Sequence, residues 1–566
     1  MVSPNPSEGG ARTASWAGAA LAATGFAATV SIFDRSVIPM DEGHLCATAD
    51  WMLGGKLLYR DIHTGIFPGI YYLTAGLLSL FGRDVLVTRV AQIALNASMV
   101  LLLWRLAVRA VPRPWEWLPP ILYLGLVVVA FPVLTMFNYS PLALCYGLAA
   151  LWTTLRYLER GHVADAIATG VLLAASALTK QNFGGLVFVA IWLTFFWQRG
   201  RSALADRSLI ASCAPIVVAG AGVTLISLVH FAWSGNLGDL IESTLVALGG
   251  SQLASFGNPI PPVIGPHPVG DIRFTFLYSP PALFNYLVRG ETVVGQPVAS
   301  LLGAAIRSSY GIALALLAAA PVLLWLSRDR GDFTGQRGDF AGQRSERAIA
   351  VFAICFFPGI FPSAIWSHLA FVLPPLLLVL ALVAARVDGA LAERVAWGAW
   401  AWRALFVVIA LASTAVTLRT AADIRGWYHL PLEIDRVTLK VEPAQRDIFR
   451  AATSFIERCA APGEPIFVAP DMPLLYFATD RPNPSPFDLT IPGNVDGQLI
   501  RTRLAETRTR CIVFNPRMYL EFPPFEELFP ELTEAFASEY ALDTQIRGGT
   551  ATWHGLVRRA EPGASD

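Results

Sequence analysis

Long apolar runs separated by short arginine-bearing loops fill the first three quarters of the chain. A membrane-crossing helix needs about 20 mostly apolar residues. Runs of that kind lie near 15–33, 87–108, 117–136, 139–158, 163–179, 183–197, 208–231, 300–326, 348–366, 369–385 and 398–418. A further run, Ile66 to Phe81 (IFPGIYYLTAGLLSLF), is short for a crossing and opens with Pro68-Gly69. It is expected to lie as an aromatic-rich helix against the outer face. From Glu442 onward the pattern changes. PAQRDIFRAATSFIERCA has helical periodicity, Pro465 to Ala469 and Cys511 to Asn515 read as short buried strands, Pro523 to Phe536 returns to helix, and Thr550 to Val557 suits a last strand. The expected fold is an all-α polytopic membrane protein of about 11 transmembrane helices with outer juxtamembrane helices, plus a small C-terminal α/β domain. The expected division is a membrane core at 1–420 and that domain at 421–566.

Composition agrees with the pattern. Of the 566 residues 54% are hydrophobic and 15% charged, against about 25% charged in soluble globular proteins, so most of the chain belongs in lipid. The 42 basic and 42 acidic residues cancel, which leaves no overall field to attract nucleic acid. Arginines cluster instead in alternate loops, at Arg105/Arg109/Arg113, Arg156/Arg160, Arg199/Arg201/Arg207, Arg328/Arg330/Arg337/Arg344/Arg347 and Arg386/Arg394. If these loops are cytoplasmic, so are the N-terminus with Arg12 and the loop 327–347. The first loop (34–86), Phe137 to Ser140, Lys180 to Asn182, the long loop 232–299, Trp366 to His368 and everything after about 420 then face outward. Were Ile66 to Phe81 to cross, the first loop and the N-terminus would exchange sides. Residues 1–30 also suit a signal peptide, although an uncleaved first span is the reading taken here. The repeat GDFTGQR then GDFAGQR at 331–344 reads as a linker duplication. The six cysteines lack C-x-x-C spacing. Cys145, Cys213 and Cys355 suit small buried hydrophobes, and Cys459 and Cys511 can pair in an oxidising compartment.

The first loop reads DEGHLCATADWMLGGKLLYRDIHTGIFPGIYYLTAGLLSLFG. Its acidic pair, Asp41-Glu42, sits beside the headgroups, where a carboxylate can take the proton of an attacking hydroxyl. The same pair equally serves as the favourable negative charge at the start of a helix running from about Gly43 to Leu53. Lys180 stands near an outer span end with the neutral donors Gln181 and Asn182, and reads either as a snorkelling lysine or as a phosphate ligand. His368, after a tight outer turn, is either a second phosphate donor or a satisfied structural histidine. His63 and Arg60 are weaker versions of the same idea. The long loop, with Asp239, Glu242, His267, Asp271 and Arg273, reads as a lid over an acceptor or as plain surface.

The run DEGHLCATADWMLGGKLLYRD, followed by FPGIYYLTAGLLSLFG and Arg89, resembles the first-loop signature of polyprenyl-phosphate-sugar-dependent membrane glycosyltransferases of the C superfamily. That superfamily includes the protein O-mannosyltransferases and the aminoarabinose transferases of lipid A. TKQNFGG at 179–185, SHLAFVLPPLLLVLA at 367–381 and the tail phrase PDMPLLYFATDRPNPSPFD carry the likeness less sharply. The resemblance implies Asp41 as catalytic base with Glu42 as helper or metal-proximal acid. It also implies Lys180, Gln181, Asn182, His368, His63 and Arg60 as candidate ligands of the donor phosphate. Where some relatives place a second acidic residue this chain has Asn138, which disfavours a two-carboxylate metal site, so no cofactor is assigned and a divalent metal stays open. The implied partners are a polyprenyl-phosphate-linked sugar, a lipid, glycan or protein acceptor, and membrane lipids. The implied place is the bacterial cytoplasmic (inner) membrane, with the active site and C-terminal domain extracytoplasmic. A transporter or flippase of lipid-linked glycans is the alternative, yet neither related halves nor charged midplane helices are evident. A glycan polymerase or ligase would carry more arginine and histidine than Arg273 and His267 supply.

Overall fold

The computed structural model describes residues 6–246, 257–293, 295–327, 337–493, 495–517 and 522–560. Every apolar run forms a helix. The first nine helices are α1 (Pro6–Val30), α2 (Asp41–Leu53), α3 (Gly69–Phe81), α4 (Val85–Ala110), α5 (Leu118–Val129), α6 (Tyr139–Arg160), α7 (Val163–Thr179), α8 (Gln181–Arg199) and α9 (Leu209–Trp233). Long helices follow at Val298–Leu326, Arg337–Phe356, Trp366–Arg394 and Ala396–Trp427. Local chemistry sets their ends. Asp84 caps α4 by accepting from the Leu86 amide at 2.6 Å, and Asn138 caps α6 by accepting from Ser140 at 2.8 Å. Gly161, at φ 68°, ends α6 in the left-handed conformation that glycine adopts without strain.

Five of these helices, Val85–Ala110, Leu209–Trp233, Val298–Leu326, Trp366–Arg394 and Trp397–Trp427, are long and apolar enough to cross a membrane. The remaining expected spans are helical but shorter or more polar. On α9, Ile210, Val217, Val218, Leu225 and Ile226 are exposed, an apolar face that suits lipid rather than water. Two boundaries differ from expectation. The span expected at 117–136 is helical for Leu118–Val129 and breaks before Pro132, whose ring cannot continue it. The run at 348–366 belongs to a helix that begins at Arg337 and gives way to a 3₁₀ turn at Phe357–Ile360, where Pro358 intervenes. That helix begins at the last residue of the first GDF copy and takes in the whole second copy, whereas residues 331–336 lie outside the described residues.

The arginine loops meet at one end of the bundle. Arg156 pairs with Asp165 at 3.1 Å and Arg403 with Asp388 at 2.8 Å. Arg109 pairs with Glu159 and Arg386 with Glu346, and Gln198 donates to the Arg344 carbonyl at 3.1 Å. At the other end, Arg89 at the start of α4 donates to the carbonyls of Phe33, Arg35 and Ser36, just past α1. The chain therefore leaves α1 and enters α4 at one end, with α2 and α3 lying between.

After Trp427 an antiparallel hairpin pairs Leu430–Ile434 with Val437–Val441. A four-stranded sheet follows in the order Ile466–Ala469, Cys511–Phe514, Ala551–Arg558, Tyr540–Gly548. Its first pair is parallel with Ile466 opposite Cys511, and its others are antiparallel. Helix Pro443–Cys459 buries Ile448, Phe449, Ala452, Phe455 and Ile456, one face at helical spacing, against this sheet. The strands at 466–469, 511–514 and 551–558 fall where expected, and the hairpin and Tyr540–Gly548 add to them. Cys459 and Cys511 are joined in a disulfide, their Cα atoms 5.9 Å apart. The hairpin docks on the first loop: Arg436 bonds Asp50 at 3.0 Å and Asp480 at 2.7 Å, Arg83 also reaches Asp50, and Lys440 reaches Asp34 at 2.7 Å.

Two outcomes are expected. Arg89→Leu strands the buried Glu42 carboxylate, and urea or thermal unfolding in detergent should show a loss of about 3–5 kcal/mol. In the full chain unfolded without reductant, maleimide should label the four free cysteines, Cys46, Cys145, Cys213 and Cys355, and all six after reduction, as read by mass spectrometry.

Candidate active site

Helix α2 begins at Asp41, two residues earlier than the pattern suggests, and Met40 is its N-cap with no side-chain cap bond. Asp41 and Glu42 thus occupy the first turn, where the aligned peptide dipoles favour negative charge. Successive helical positions point about 100° apart, and the two carboxylates separate accordingly. Glu42, 1% exposed, turns inward onto Arg89, which is 0% exposed. Its Oε2 accepts from Arg89 Nη2 at 2.7 Å and its Oε1 from Nε. Glu42 was expected as catalytic helper or metal-proximal acid; in the structure its carboxylate makes a bidentate pair with Arg89 that holds α2 against α4. Gly43 allows the C-terminal part to close on the next position, since a Cβ there would lie 2.3 Å from the Leu474 nitrogen.

Asp41 faces the other way and accepts no hydrogen bond from the described residues. Its charged neighbours are His44, Glu42 and Lys180. Burial pushes its carboxyl above the usual carboxylate range, partly offset by His44 and Lys180. Lys180 lies at the junction of α7 and α8. Its ammonium donates to Ser140 Oγ at 2.8 Å and stands 4.1 Å from the Phe183 ring centre and 5.1 Å from that of Tyr139. Burial drives it down to about 7, with Asp41 pulling the other way. Gly69 lets α3 close on this junction, because a Cβ there would meet the Leu178 carbonyl at 2.8 Å. His368, at the start of Trp366–Arg394, lies within electrostatic reach of Lys180. Its Nδ1 is 2.5 Å from the Ser363 carbonyl. That turn is held from the long loop by Asn258, whose carbonyl accepts from Ala364 at 2.8 Å.

The other expected phosphate ligands have different partners. Gln181 donates to the Gly65 carbonyl at 2.6 Å and accepts from Phe67 at 3.4 Å, so it pins the first loop. Asn182 is exposed and accepts from the Phe183 amide at 2.9 Å. Arg60 is half-exposed and pairs with Asp239 at 3.1 Å. His63 packs against Phe487, ring centres 4.9 Å apart and planes tilted by 55°, and burial pushes its pKa down. Within the long loop, Asp271 caps helix Ile272–Tyr278. Residues 247–256 of the expected lid lie outside the described residues. Asn138 caps α6 through its Oδ1. Among the described residues no group of three or more His, Cys, Asp and Glu is arranged to hold a metal ion.

Two residues join the site unannounced. His44, one turn after Asp41, has Nδ1 2.7 Å from Asp488 Oδ2 and Nε2 2.9 Å from the Tyr71 hydroxyl. The i, i+3 spacing of Asp41 and His44 puts them on one helix face, a signal available in the sequence. Asp488 closes the tail phrase more than 400 residues away, and nothing local links it to His44.

Residues 63–230 match the family model described as dolichyl-phosphate-mannose-protein mannosyltransferase. That segment includes Tyr71, Arg89, Ser140 and Lys180, and Asp41 and His44 precede it. No curated protein matches the chain. Among solved structures, ArnT from Cupriavidus metallidurans bound to undecaprenyl phosphate is 13% identical over 95% of this chain and 97% of that one, with a TM-score of 0.43. The Archaeoglobus fulgidus oligosaccharyltransferase in complex with Zn and sulfate is 13% identical over 87% and 68%, TM-score 0.48. The arabinosyltransferase EmbB from Mycobacterium smegmatis is 16% identical over 73% and 42%, TM-score 0.36. All three scores fall below 0.5, so the family match is what bears on function. The resemblance read from the first loop and this match point the same way: over residues 63–230 the chain is similar to the family described as dolichyl-phosphate-mannose-protein mannosyltransferase.

Proposed function

We propose that the chain transfers a sugar from a polyprenyl-phosphate donor to a hydroxyl acceptor at the outer face of a bacterial inner membrane. What carries this reading is that Lys180, seated on Ser140 at 2.8 Å, lies within electrostatic reach of Asp41, a carboxylate without a hydrogen-bond donor among the described residues. The family match over 63–230 supplies the class of donor.

Asp41 takes the proton of the acceptor hydroxyl as its oxygen bonds to the anomeric carbon. The bond from that carbon to the phosphate oxygen breaks with inversion, and the polyprenyl phosphate leaves with the electron pair. Negative charge grows on the phosphate as it departs, so a buried cation stabilises the transition state more than the ground state. Lys180 fills this role from its seat on Ser140, with His368 beside it. Asp41 later returns its proton to water.

Eleven crossings would put the arginine loops in the cytoplasm and the site opposite them. Two features support this sidedness: the arginine pairs collect at the other end of the bundle, and the Cys459–Cys511 disulfide requires an oxidising compartment. The acceptor is a lipid, glycan or protein hydroxyl.

Asp41→Asn should abolish release of polyprenyl phosphate from radiolabelled polyprenyl-phosphate mannose, arabinose or aminoarabinose in membranes, with expression unchanged. Undiminished turnover would remove Asp41 as base. Lys180→Gln loses a charge-assisted contact of about 1.5–3 kcal/mol, so donor KM or kcat should worsen by about 10- to 150-fold. An unaltered rate at every donor concentration would count against phosphate binding there.

A further inference from the structure

Behind Asp41 lies a second buried constellation that the proposed transfer leaves unused. The imidazole of His44 is clasped at both nitrogens, by Asp488 at 2.7 Å and by Tyr71 at 2.9 Å. The Tyr71 hydroxyl continues to Thr64 Oγ at 2.6 Å, and Thr64 accepts from the Ile66 amide at 3.3 Å. Asp488 is 2% exposed. Its loop is held rigid by its own side chains: Ser485 and Asn483 both donate to the Phe487 carbonyl, at 3.0 and 2.8 Å, and the Phe487 amide donates back to Ser485 at 3.0 Å. The same loop is fastened to the first loop where the His63 amide donates to Pro486 at 2.8 Å and Lys56 reaches the Asn483 carbonyl.

We propose that His44 is a positioning residue for Asp41: held between Asp488 and Tyr71, it keeps a proton whose charge faces the Asp41 carboxylate and maintains it as the ionised base. The inference rests on the reading of Asp41 given above. It also makes the C-terminal part a contributor to the site, since Asp488 comes from there.

Charge balance supports it. Around the imidazole stand Asp41 from its own helix, Tyr71 from α3, His63 from the first loop and Asp488 from the C-terminal loop. Two carboxylates thus oppose one neighbouring histidine, and burial sets His63 toward its neutral form. Both His44 nitrogens can donate, Nδ1 to the Asp488 carboxylate and Nε2 to the Tyr71 oxygen, while Tyr71 donates onward to Thr64. Burial opposes the charge on His44, and Asp488 followed by Asp41 outweighs it, so the net displacement is upward. Seen from Asp41, burial disfavours ionisation, His44 is the foremost opposing charge, Glu42 adds to the penalty, and Lys180 gives further relief.

Asp488→Asn keeps the shape of the loop and removes the charge, and Asp488→Glu restores the charge. Histidine-selective NMR of the full chain in nanodiscs, with the His44 signal identified by its loss in His44→Gln, reads the imidazole directly. Its titration midpoint should fall by about 1 pH unit or more in Asp488→Asn and recover in Asp488→Glu. An unmoved midpoint overturns the inference whether or not sugar transfer is observed. In the transfer assay, loss of the His44 charge raises the pH at which Asp41 ionises. The acid limb of the rate profile should therefore move to higher pH in both His44→Gln and Asp488→Asn, with about a tenfold loss near neutrality that alkaline buffer restores. A uniform loss at every pH, or no displacement, rejects the link to Asp41. Failure of Asp41→Asn to reduce transfer would instead overturn the assignment of the base, leaving the NMR result to decide the dyad.

Discussion

Arg89 is wholly buried, and its five donors are shared between one carboxylate and the backbone just past α1. An isolated guanidinium in that place would be prohibitively costly. Glu42 neutralises it, and the carbonyls of Phe33, Arg35 and Ser36 take its remaining hydrogens. Three pieces of chain are thereby fixed to one another: the exit of α1, the first turn of α2 and the start of α4. Because Glu42 must point inward to reach Arg89, Asp41 is turned the other way. The orientation of the proposed base follows from an ion pair one residue along.

Around that clamp the small residues permit close approach. Gly43 admits the Leu474 backbone against α2, and Gly69 admits the Leu178 carbonyl against α3. The first contact brings the C-terminal part onto the first loop, and the second brings the loop onto the junction where Lys180 sits. Polar closures then complete the packing, with Gln181 pinning Gly65 and Phe67 and Arg436 bridging Asp50 and Asp480. Residues first read as donor ligands thus divide into two groups. Lys180 and His368 stand in electrostatic contact with one another and, through Lys180, with Asp41, whereas Gln181, Arg60 and His63 hold the loop that surrounds them.

This arrangement bears on how a half-buried carboxylate keeps its charge. Desolvation raises its proton affinity, and cations placed nearby lower it again. The site sets two basic groups against Asp41, and they reach it from different directions: Lys180 from a helix junction, His44 from the same face of α2. Their separate anchors, Ser140 for one and Asp488 with Tyr71 for the other, leave each free to respond to its own surroundings.

Hydrophobic run length is a local property, and it sufficed to locate the helices, the change of character after Glu442 and three strands of the sheet. The first-loop phrase pointed to Asp41, and arginine placement foretold that the charged loops share one end. Helix ends were misjudged where proline intervened, at Pro132 and Pro358, because apolar composition does not register the loss of a backbone donor. The roles of Glu42, Gln181 and Asp488 were not legible. Their meaning depends on partners 47, 116 and 444 residues distant, and a side chain's chemistry is set by what lies within a few ångströms, which packing decides and sequence order does not. By itself the sequence determined a helical membrane protein with an acidic pair in its first loop. Only the tertiary structure decided which acid is spent on Arg89 and which is left facing Lys180, because burying a charge demands a partner and one of the two had to supply it.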